Sequence, residues 1–565
     1  MGIRPVLWLT THLAKSIVLF VVRISTALPF LAFGLVVTAA FAQNAPQPPP
    51  ITISTRLVQV GVIVRDKNGP VANLTKDDFV VLDRGKPRKI SVFTAESAAS
   101  TPQPAPSQPM PRLLPPNTFS DLPQVSGPAV RSITIVLLDN LNTLSGNGHP
   151  GYETGPLWME DLALANAKAH LIEFIKTLDP RDGVAIYGLS DGLHVLCDFT
   201  SDRERLLAIL KNYDTTSRTN RNQVEPGKSH TPVPGEFNPL VDAQASELAA
   251  ITIERRAEDT MAALHAIASH VANVPGRKNL VWLTANLPFS GRALAQILGP
   301  AQIAACPVDG RGLLARKPPE NEWEKDDQLD GVFGRGMPAQ SAQPIGVDTM
   351  QTLADETGGR AFVNTNDLTG AIRDAVEDSA VTYTLGFYIN ADSLDGKFHE
   401  LKVTVKRSGL NLRYPKSYFA FKDNSPTQDV RHNGYLAAIR SPLESSSIPV
   451  TVKVVRVEQP LPHCLSLFGS IDIHELRLTQ AGPVHKGAVE VATIEQDETG
   501  KILRRSANRI NFDFTEQKYT AYLQSGFPFH QFVQPQAGVT TLRIVIEDPN
   551  TAQLGSLIIP LSQVK

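Results

Sequence analysis

The sequence has few cysteines, almost no net charge and no long apolar run after its first forty residues. Three cysteines in 565 residues are too few for a disulfide framework. The 54 Lys and Arg residues balance 56 Asp and Glu residues, so no basic field exists to attract nucleic acid. No later stretch approaches the ~18 apolar residues that a membrane span needs. The 42% hydrophobic and 19% charged content is that of a globular protein.

The first 42 residues have the pattern of a secretion signal. Basic residues precede an apolar run at 27–40, and the Ala-Phe-Ala motif that ends at Ala42 matches a signal-peptidase site. We therefore predict a signal peptide over 1–42, cleaved after Ala42. An uncleaved anchor is the alternative, because 16–42 could span a bilayer with Arg23 inside it. Both interpretations place the rest of the chain in a secreted, periplasmic or cell-envelope location, with no membrane contact beyond the signal segment.

Changes in composition and periodicity divide the remaining chain into units. Proline-rich stretches indicate spacers, and apolar residues at a period of two indicate strands. The prediction is a Pro-rich spacer at 43–50, a small N-terminal β unit at 51–96, a Pro-rich linker at 97–130, an α/β domain at 131–380, a β-hairpin extension of that domain at 381–423, a second linker at 424–435 and a C-terminal β-sandwich at 436–565.

Strand and helix patterns alternate in the segment 131–380. Residues 132–138 form a continuous apolar run, which is typical of a central parallel strand. Residues 161–178 place their apolar side chains at helical spacing. This alternation predicts an α/β fold, a doubly wound parallel sheet with helices on both faces. From 436 onward, short strand patterns separated by turns predict an all-β unit, a sandwich of the Ig-like kind.

Several motifs occur in the order found in one group of secreted bacterial proteins. They include LTKDDF at 74–79, LLDNLNT at 137–143, ACPVDGRGL at 305–313 and LADETGGRAF at 353–362. On these motifs the chain resembles the von Willebrand factor A (vWA)-related proteins of the Acidobacteria type, whose roles are largely unassigned. The resemblance implies a vWA-like fold for the α/β domain more firmly than it implies a function.

The resemblance also implies a divalent-cation site at the carboxyl ends of the strands, built on an Asp-x-Ser-x-Ser loop. Asp139 matches the first carboxylate, and Thr143 could replace the second Ser. Leu141 stands where the first Ser would be and offers no side-chain oxygen, and Asn286 lies near the place of a later Asp. We therefore expect a degenerate site in which a cofactor is not certain, with Mg²⁺ or Mn²⁺ as the cation if one binds through Asp139 and Thr143.

Candidate ligand-binding residues at this edge are Asp139, Asn142, Thr143, Asn286 and Asp309. The second-loop Thr of the cation site falls within 215–219 and cannot be chosen from the sequence. Asp309 has a structural alternative, because an Asp–Arg pair with Arg311 would stabilise the loop.

A literal G-x-S-x-G motif at 188–192 raises the question of a hydrolase. A nucleophile elbow needs a helix directly after the Ser, whereas 193–196 has a strand pattern. A β-turn explains the motif without chemistry. A secreted hydrolase that uses Ser190 or His194 is therefore the less favoured hypothesis, and we predict no catalytic residues and no enzyme. Cys197 and Cys306 could pair outside the cytoplasm, but three buried free thiols are the simpler expectation.

Together these patterns predict a secreted or envelope-associated, non-catalytic protein-binding module of the adhesion type. The partner is an unidentified protein, and nucleic acid is excluded by the charge balance. The alternative is an adhesion module that depends on Mg²⁺ or Mn²⁺.

Overall fold

A computed structural model describes the protein at residues 55–97, 114–123, 132–143, 157–213, 239–287, 289–312, 346–377, 381–422, 424–459 and 462–565. The predicted signal segment and the 43–50 spacer lie outside these residues. All of the described residues belong to one unit, Thr55–Lys565. None of the helices in these ranges has the length and apolar character that a membrane span requires.

The elements are numbered in chain order. The strands are β1 (Thr55–Asp66), β2 (Gly69–Pro70), β3 (Phe79–Asp83), β4 (Lys86–Arg88), β5 (Val92–Ser97), β6 (Thr118–Ser120), β7 (Ser132–Asp139), β8 (Asp182–Leu189), β9 (Leu193–Thr200), β10 (Lys278–Thr284), β11 (Ile303–Asp309), β12 (Val381–Asn390), β13 (Phe398–Val405), β14 (Asn411–Arg413), β15 (Ser417–Phe419), β16 (Val450–Val457), β17 (Cys464–Ile471), β18 (Thr479–Ala481), β19 (Val484–Gln496), β20 (Ile502–Thr515), β21 (Phe527–Val533), β22 (Thr541–Glu547) and β23 (Leu554–Pro560). The α-helices are α1 (Asn140–Thr143), α2 (Leu157–Lys176), α3 (Arg203–Asn212), α4 (Pro239–His270), α5 (Gly291–Leu298), α6 (Val347–Thr357), α7 (Leu368–Glu377), α8 (Gln428–Arg440) and α9 (Glu516–Ser525).

The central sheet has the strand order β11-β10-β7-β8-β9. The first four strands are parallel, and β9 pairs antiparallel with β8 at the edge. Because successive side chains point to opposite faces, Ile135 and Leu137 pack against α4, α5 and α6, whereas Val136 and Leu138 pack against α2, α3 and α7. The apolar run predicted as a strand is therefore buried on both sides, as its lack of alternation requires.

The segment predicted as a β-hairpin extension, 381–423, has a different arrangement. Its strands β12 and β13 do not pair with each other: β12 lies between β1 and β5, and β13 lies between β15 and β3. Both strands alternate apolar and polar residues, so each needs a second sheet to cover its apolar face. The two sheets, β14-β1-β12-β5 and β15-β13-β3-β4, each combine strands of the N-terminal β unit with strands of 381–423. They cover each other, and Tyr383 and Val62 lie in one core with Val81 and Val403.

Two stretches predicted as linkers contain ordered structure. Residues 428–440 form α8, although 424–435 was expected to be a connection. The pattern is weak because only Ala438 and Ile439 are buried, and the helix instead depends on its Thr427 cap and on ion pairs from Arg431 to Glu547 and Glu490. Within the predicted 97–130 linker, β6 adds a strand to β16 of the C-terminal domain.

The C-terminal domain contains two antiparallel sheets, β21-β17-β16-β6 and β18-β19-β22-β23, with β20 paired to β19. Their inward-facing side chains share one core, in which Val452 and Leu467 of the first sheet lie with Val491 and Ile544 of the second. The Ig-like character of this unit remains a prediction.

Candidate functional site

Three strands of the central sheet end in polar residues at the same edge. The register aligns Leu138 with Leu283, and Thr284 with Asp309, so β7, β10 and β11 reach the edge together. This arrangement brings Asp139 and Asp309 to the carboxyl end of the sheet, with Asn286 two residues beyond the end of β10. In open α/β sheets this edge is where ligands bind.

Asp139 is completely buried and accepts three N–H hydrogen bonds. The backbone N–H of Asn142 donates to its Oδ1 at 2.9 Å, and the Nδ2 of Asn142 donates to its Oδ2 at 3.0 Å. The indole Nε1 of Trp282, on the neighbouring strand β10, also donates to Oδ2 at 2.9 Å. The carboxylate therefore ties the loop after β7 to the adjacent strand.

The hydrogen-bond partners of the Asn142 side chain fix which way its amide group points. Its Nδ2 donates to Asp139 and, at 3.0 Å, to the hydroxyl of Thr260 on α4. Thr260 donates its own proton to the carbonyl of Arg256 at 2.7 Å, so it can only accept from Asn142. Both amide protons are thus used. The Oδ1 of Asn142 is buried and has no hydrogen-bond partner.

Asn286 contributes a second buried amide oxygen without a partner, its Oδ1. A Cβ atom on Gly346 would lie 2.5 Å from this oxygen, and Gly346 has a φ of 92°. Because an L side chain would be strained in that conformation and would collide with the amide, Gly346 lets the start of α6 cover Asn286 closely. The edge therefore contains two buried acceptor oxygens, each without a hydrogen-bond partner.

The electrostatics of Asp139 reflect its burial. Removal from water raises the pKa of its carboxyl above the ordinary value, although the hydrogen bonds from Asn142 and Trp282 act in the opposite direction. A carboxylate in this condition serves as an acceptor for fixed N–H groups. It is not an exposed base.

The described residues of the implied cation set do not by themselves fit a resident divalent cation. Asp139 is the one carboxylate of the implied set, and its oxygens already accept three N–H bonds. Leu141 is buried in the apolar core, and Asn286 offers a neutral amide where the cation site would have an Asp. The side chain of Thr143 and the 215–219 loop lie outside the described part of the chain. Within that part, no group of three or more His, Cys, Asp or Glu side chains could hold a metal ion.

Asp309 is engaged by the arginine two residues later. Arg311 Nε and Nη2 donate to its two oxygens at 2.9 and 2.8 Å, and the Arg311 backbone N–H adds a third bond at 3.0 Å. The aspartate is 1% exposed. The geometry is that of the loop-stabilising pair considered as the alternative in the sequence.

The G-x-S-x-G motif lies in a turn between two paired strands. Residues 193–200 form β9, and Leu189 pairs with Leu193 across the turn. Ser190 Oγ and His194 Nε2 both contact Asp191 Oδ1, at 3.0 and 2.7 Å. The aspartate thus lies between the serine and the histidine, and the strand occupies the position of the helix that a nucleophile elbow requires. Cys197, Cys306 and Cys464 are buried free thiols, so Cys197 and Cys306 are not paired.

Sequence reasoning missed Trp282 and Thr260. Both are essential to the Asp139 network, yet they lie 143 and 121 residues along the chain from Asp139. Their contribution depends on the pairing of β10 with β7 and on the placement of α4. No local pattern carries that information.

Comparison with known proteins gives little further guidance. No protein-family model matches the chain, and no curated protein matches it. Among solved structures, it is similar to an aerotolerance-related membrane protein from Bacteroides fragilis, at 15% identity over 44% of this chain and 98% of that chain, with a TM-score of 0.24. It is also similar to the conserved hypothetical protein BatB from Bacteroides thetaiotaomicron, at 12% identity over 44% and 98%, with a TM-score of 0.24. An uncharacterized membrane spanning protein from Vibrio fischeri matches at 16% identity over 43% and 96%, with a TM-score of 0.13. Similarities this low do not establish a shared fold.

Proposed function

We propose that this chain is a secreted or envelope-associated binding protein without a catalytic role, and that it binds a protein partner at the carboxyl edge of its central sheet. The proposal includes a vWA-like assignment for the α/β domain, with a degenerate metal site, and an Ig-like assignment for the C-terminal domain. The strand order, with four parallel strands and one antiparallel edge strand, supports the first assignment.

The observation that carries the proposal is the pair of unused acceptor oxygens on Asn142 and Asn286. A buried acceptor without a partner costs roughly 1–3 kcal/mol, so two of them at one edge favour a ligand that donates hydrogen bonds once the covering segment, including the start of α6, moves aside. A peptide backbone or a basic side chain of a protein supplies such donors. The hydrogen bonds of the neighbouring Asp139 fix Asn142 of α1 against β10, which lowers the entropic cost of binding there.

A non-catalytic role fits the same contacts. The Asp139 carboxylate is committed to three N–H donors, and Asp309 is committed to Arg311. The contacts of Ser190 and His194 run through Asp191 and do not join the two in a nucleophile–base pair.

The test is retention of a partner from an envelope fraction by the immobilised chain 43–565. Asn286→Leu removes one acceptor at the edge, and Asn511→Leu changes an exposed asparagine on β20 as a matched control. We expect the wild type and Asn511→Leu to retain the same protein and Asn286→Leu to lose it. Equal retention by all three would place the binding surface elsewhere.

The cation-dependent alternative has a separate readout. Mg²⁺ or Mn²⁺ bound through Asp139 would raise the thermal midpoint of the wild type and leave Asp139→Ala unchanged. The proposed degenerate site predicts no Asp139-dependent rise.

A further inference from the structure

A buried histidine lies where the α/β domain meets the C-terminal domain. His270 is the last residue of α4, and its residue surface is 2% exposed. Its Nδ1 lies 2.9 Å from the backbone carbonyl oxygen of Glu444, and its Nε2 lies 3.4 Å from Oδ1 of Asp198. Glu444 belongs to the segment between α8 and β16, whereas Asp198 belongs to β9. The ring therefore joins the two domains.

Both neighbours of the ring are acceptors. A neutral imidazole has one N–H and one lone pair, so it can donate only one hydrogen bond. A carbonyl oxygen has no proton to give, and Oδ1 of Asp198 already accepts a hydrogen bond from the hydroxyl of Tyr187 at 2.9 Å. A neutral ring would direct a lone pair at one of these two oxygens. Only the doubly protonated ring can donate to both.

Backbone groups near His270 also join the end of α4 to the 444–446 segment. The Ser446 N–H donates to the carbonyl of Ser269 at 2.9 Å, and the Ser446 hydroxyl donates to the carbonyl of His270 at 2.8 Å. These carbonyls belong to the last turn of α4 and would otherwise lack partners within the helix. The side chain of Asn273 donates to the Ser446 carbonyl at 2.5 Å. A positive charge in this last turn also interacts favourably with the helix dipole.

We propose that His270 is a pH-sensitive latch between the two domains. The doubly protonated ring holds the 444–446 segment against the end of α4. At alkaline pH the neutral ring keeps its one proton on Nε2, beside the Asp198 carboxylate, so the Glu444 carbonyl loses its donor and the segment is loosened.

The groups that face the ring determine whether the latch closes at low or at high pH. Burial disfavours the charged ring, but the Asp198 carboxylate and the Glu444 carbonyl outweigh it, so the pKa of His270 is raised. The latch therefore contributes fully below the ordinary histidine pKa and is lost as pH rises through the raised value. Burial also raises the pKa of the Glu444 carboxyl to about 7, so ionisation of that group on the same rise in pH opposes burial of the segment. The charge of the Glu444 carboxyl also raises the pKa of the ring. Arg543 on β22 acts on Glu444, and the Tyr187 hydroxyl donates to Asp198, so both affect the ring through its neighbours.

Hydrogen exchange of the full mature chain measures the latch directly. The readout is the protection factor, corrected for intrinsic exchange, of a peptide covering 441–449, measured from pH 6 to pH 9. Because one proton is released, we expect protection to fall by up to about tenfold per pH unit between the ordinary histidine pKa and the raised pKa of the ring, and to level off above it. A peptide covering β7 should keep its protection, since the central sheet is not part of the junction.

Three variants test the assignment. His270→Gln removes the titration of the ring, so the 441–449 peptide should show low protection and only the fall that ionisation of Glu444 contributes. His265→Gln changes a histidine five residues earlier in α4 and should retain the wild-type fall. Asp198→Asn removes the carboxylate and lowers the pKa of the closed-state ring, so the fall should be smaller and should end at a lower pH. This variant tests the proposal if His270→Gln does not fold. Constant protection of the wild type, or an unshifted fall in Asp198→Asn, would overturn the proposal.

Discussion

Replacement of Asp139 tests whether this residue anchors the edge of the sheet. Asp139→Ala leaves three buried N–H groups of Asn142 and Trp282 without their acceptor. Each orphaned donor costs roughly 1–3 kcal/mol, but the costs are not additive because the groups can relax together. Loss of the buried charge offsets part of the total. We therefore expect a destabilisation of ~2–4 kcal/mol.

Asp139→Asn gives an intermediate result. The asparagine keeps the shape of the side chain, and one amide oxygen can still accept from Trp282 and from the Asn142 side chain. Its NH₂ group then faces the Asn142 backbone N–H, so one bond is replaced by a contact between two donors. The expected cost is ~1–2 kcal/mol.

Urea unfolding followed by tryptophan fluorescence and by circular dichroism provides the assay. The predicted order of stability is wild type, Asp139→Asn, then Asp139→Ala. Asp513→Ala, an exposed aspartate with 65% of its side chain accessible, is the matched control and should change stability by less than ~0.5 kcal/mol. Because burial raises the pKa of Asp139, the advantage of the wild type over Asp139→Asn should shrink as pH rises through that pKa. An Asp139→Ala chain as stable as the control would refute the anchoring role.

Three further predictions rest on other contacts. Gly359→Ala should destabilise the chain by ~1–3 kcal/mol or more, because the new Cβ would lie against the Ala305 carbonyl of β11. Gly434→Ala in α8 meets only ordinary contacts and should stabilise the chain by ~0.5–1 kcal/mol. Unfolding midpoints measure both effects. Burial lowers the pKa of Lys278 to about 7, so below pH 7 the buried side chain is charged and destabilises the fold most. Lys278→Met should therefore be neutral or stabilising by ~1–4 kcal/mol at pH 6, with a smaller gain at pH 9. A loss of stability at pH 6 would contradict this prediction. Thiol titration without reductant should give three reactive thiols after denaturation and almost none in the native chain; a single reactive thiol after denaturation would reveal a disulfide.

The sequence predicts those elements whose apolar side chains face a core at a regular spacing. The apolar run of β7 and the alternation of β1 are visible because long stretches of each strand face a core. The helix α8 is not visible, because its two buried residues are too few to show a period, and its ion pairs connect it to strands far along the chain. The partnership of β12 with β1 and β5 is hidden for a similar reason. Alternation shows that a face is covered but does not identify the covering strands.

The candidate site likewise contains residues that the sequence predicts and contacts that it does not. Asp139 and Asp309 are predictable because they follow apolar strands at the edge where ligands bind. The local pair of Asp309 with Arg311 is predictable from their spacing in the loop. The contacts with Trp282 and Thr260 follow from strand pairing and helix placement, which a single sequence does not encode locally.

The most direct test of the proposed function is partner retention measured in EDTA. The wild-type chain and Asn286→Leu would be immobilised at equal density, exposed to the same envelope fraction with and without Mg²⁺, and compared by the amount of the retained protein. The proposal predicts equal retention by the wild type in EDTA and in Mg²⁺, and loss by Asn286→Leu in both. Retention only in Mg²⁺, or undiminished retention by Asn286→Leu, would contradict a cation-independent binding site at the carboxyl edge of the sheet.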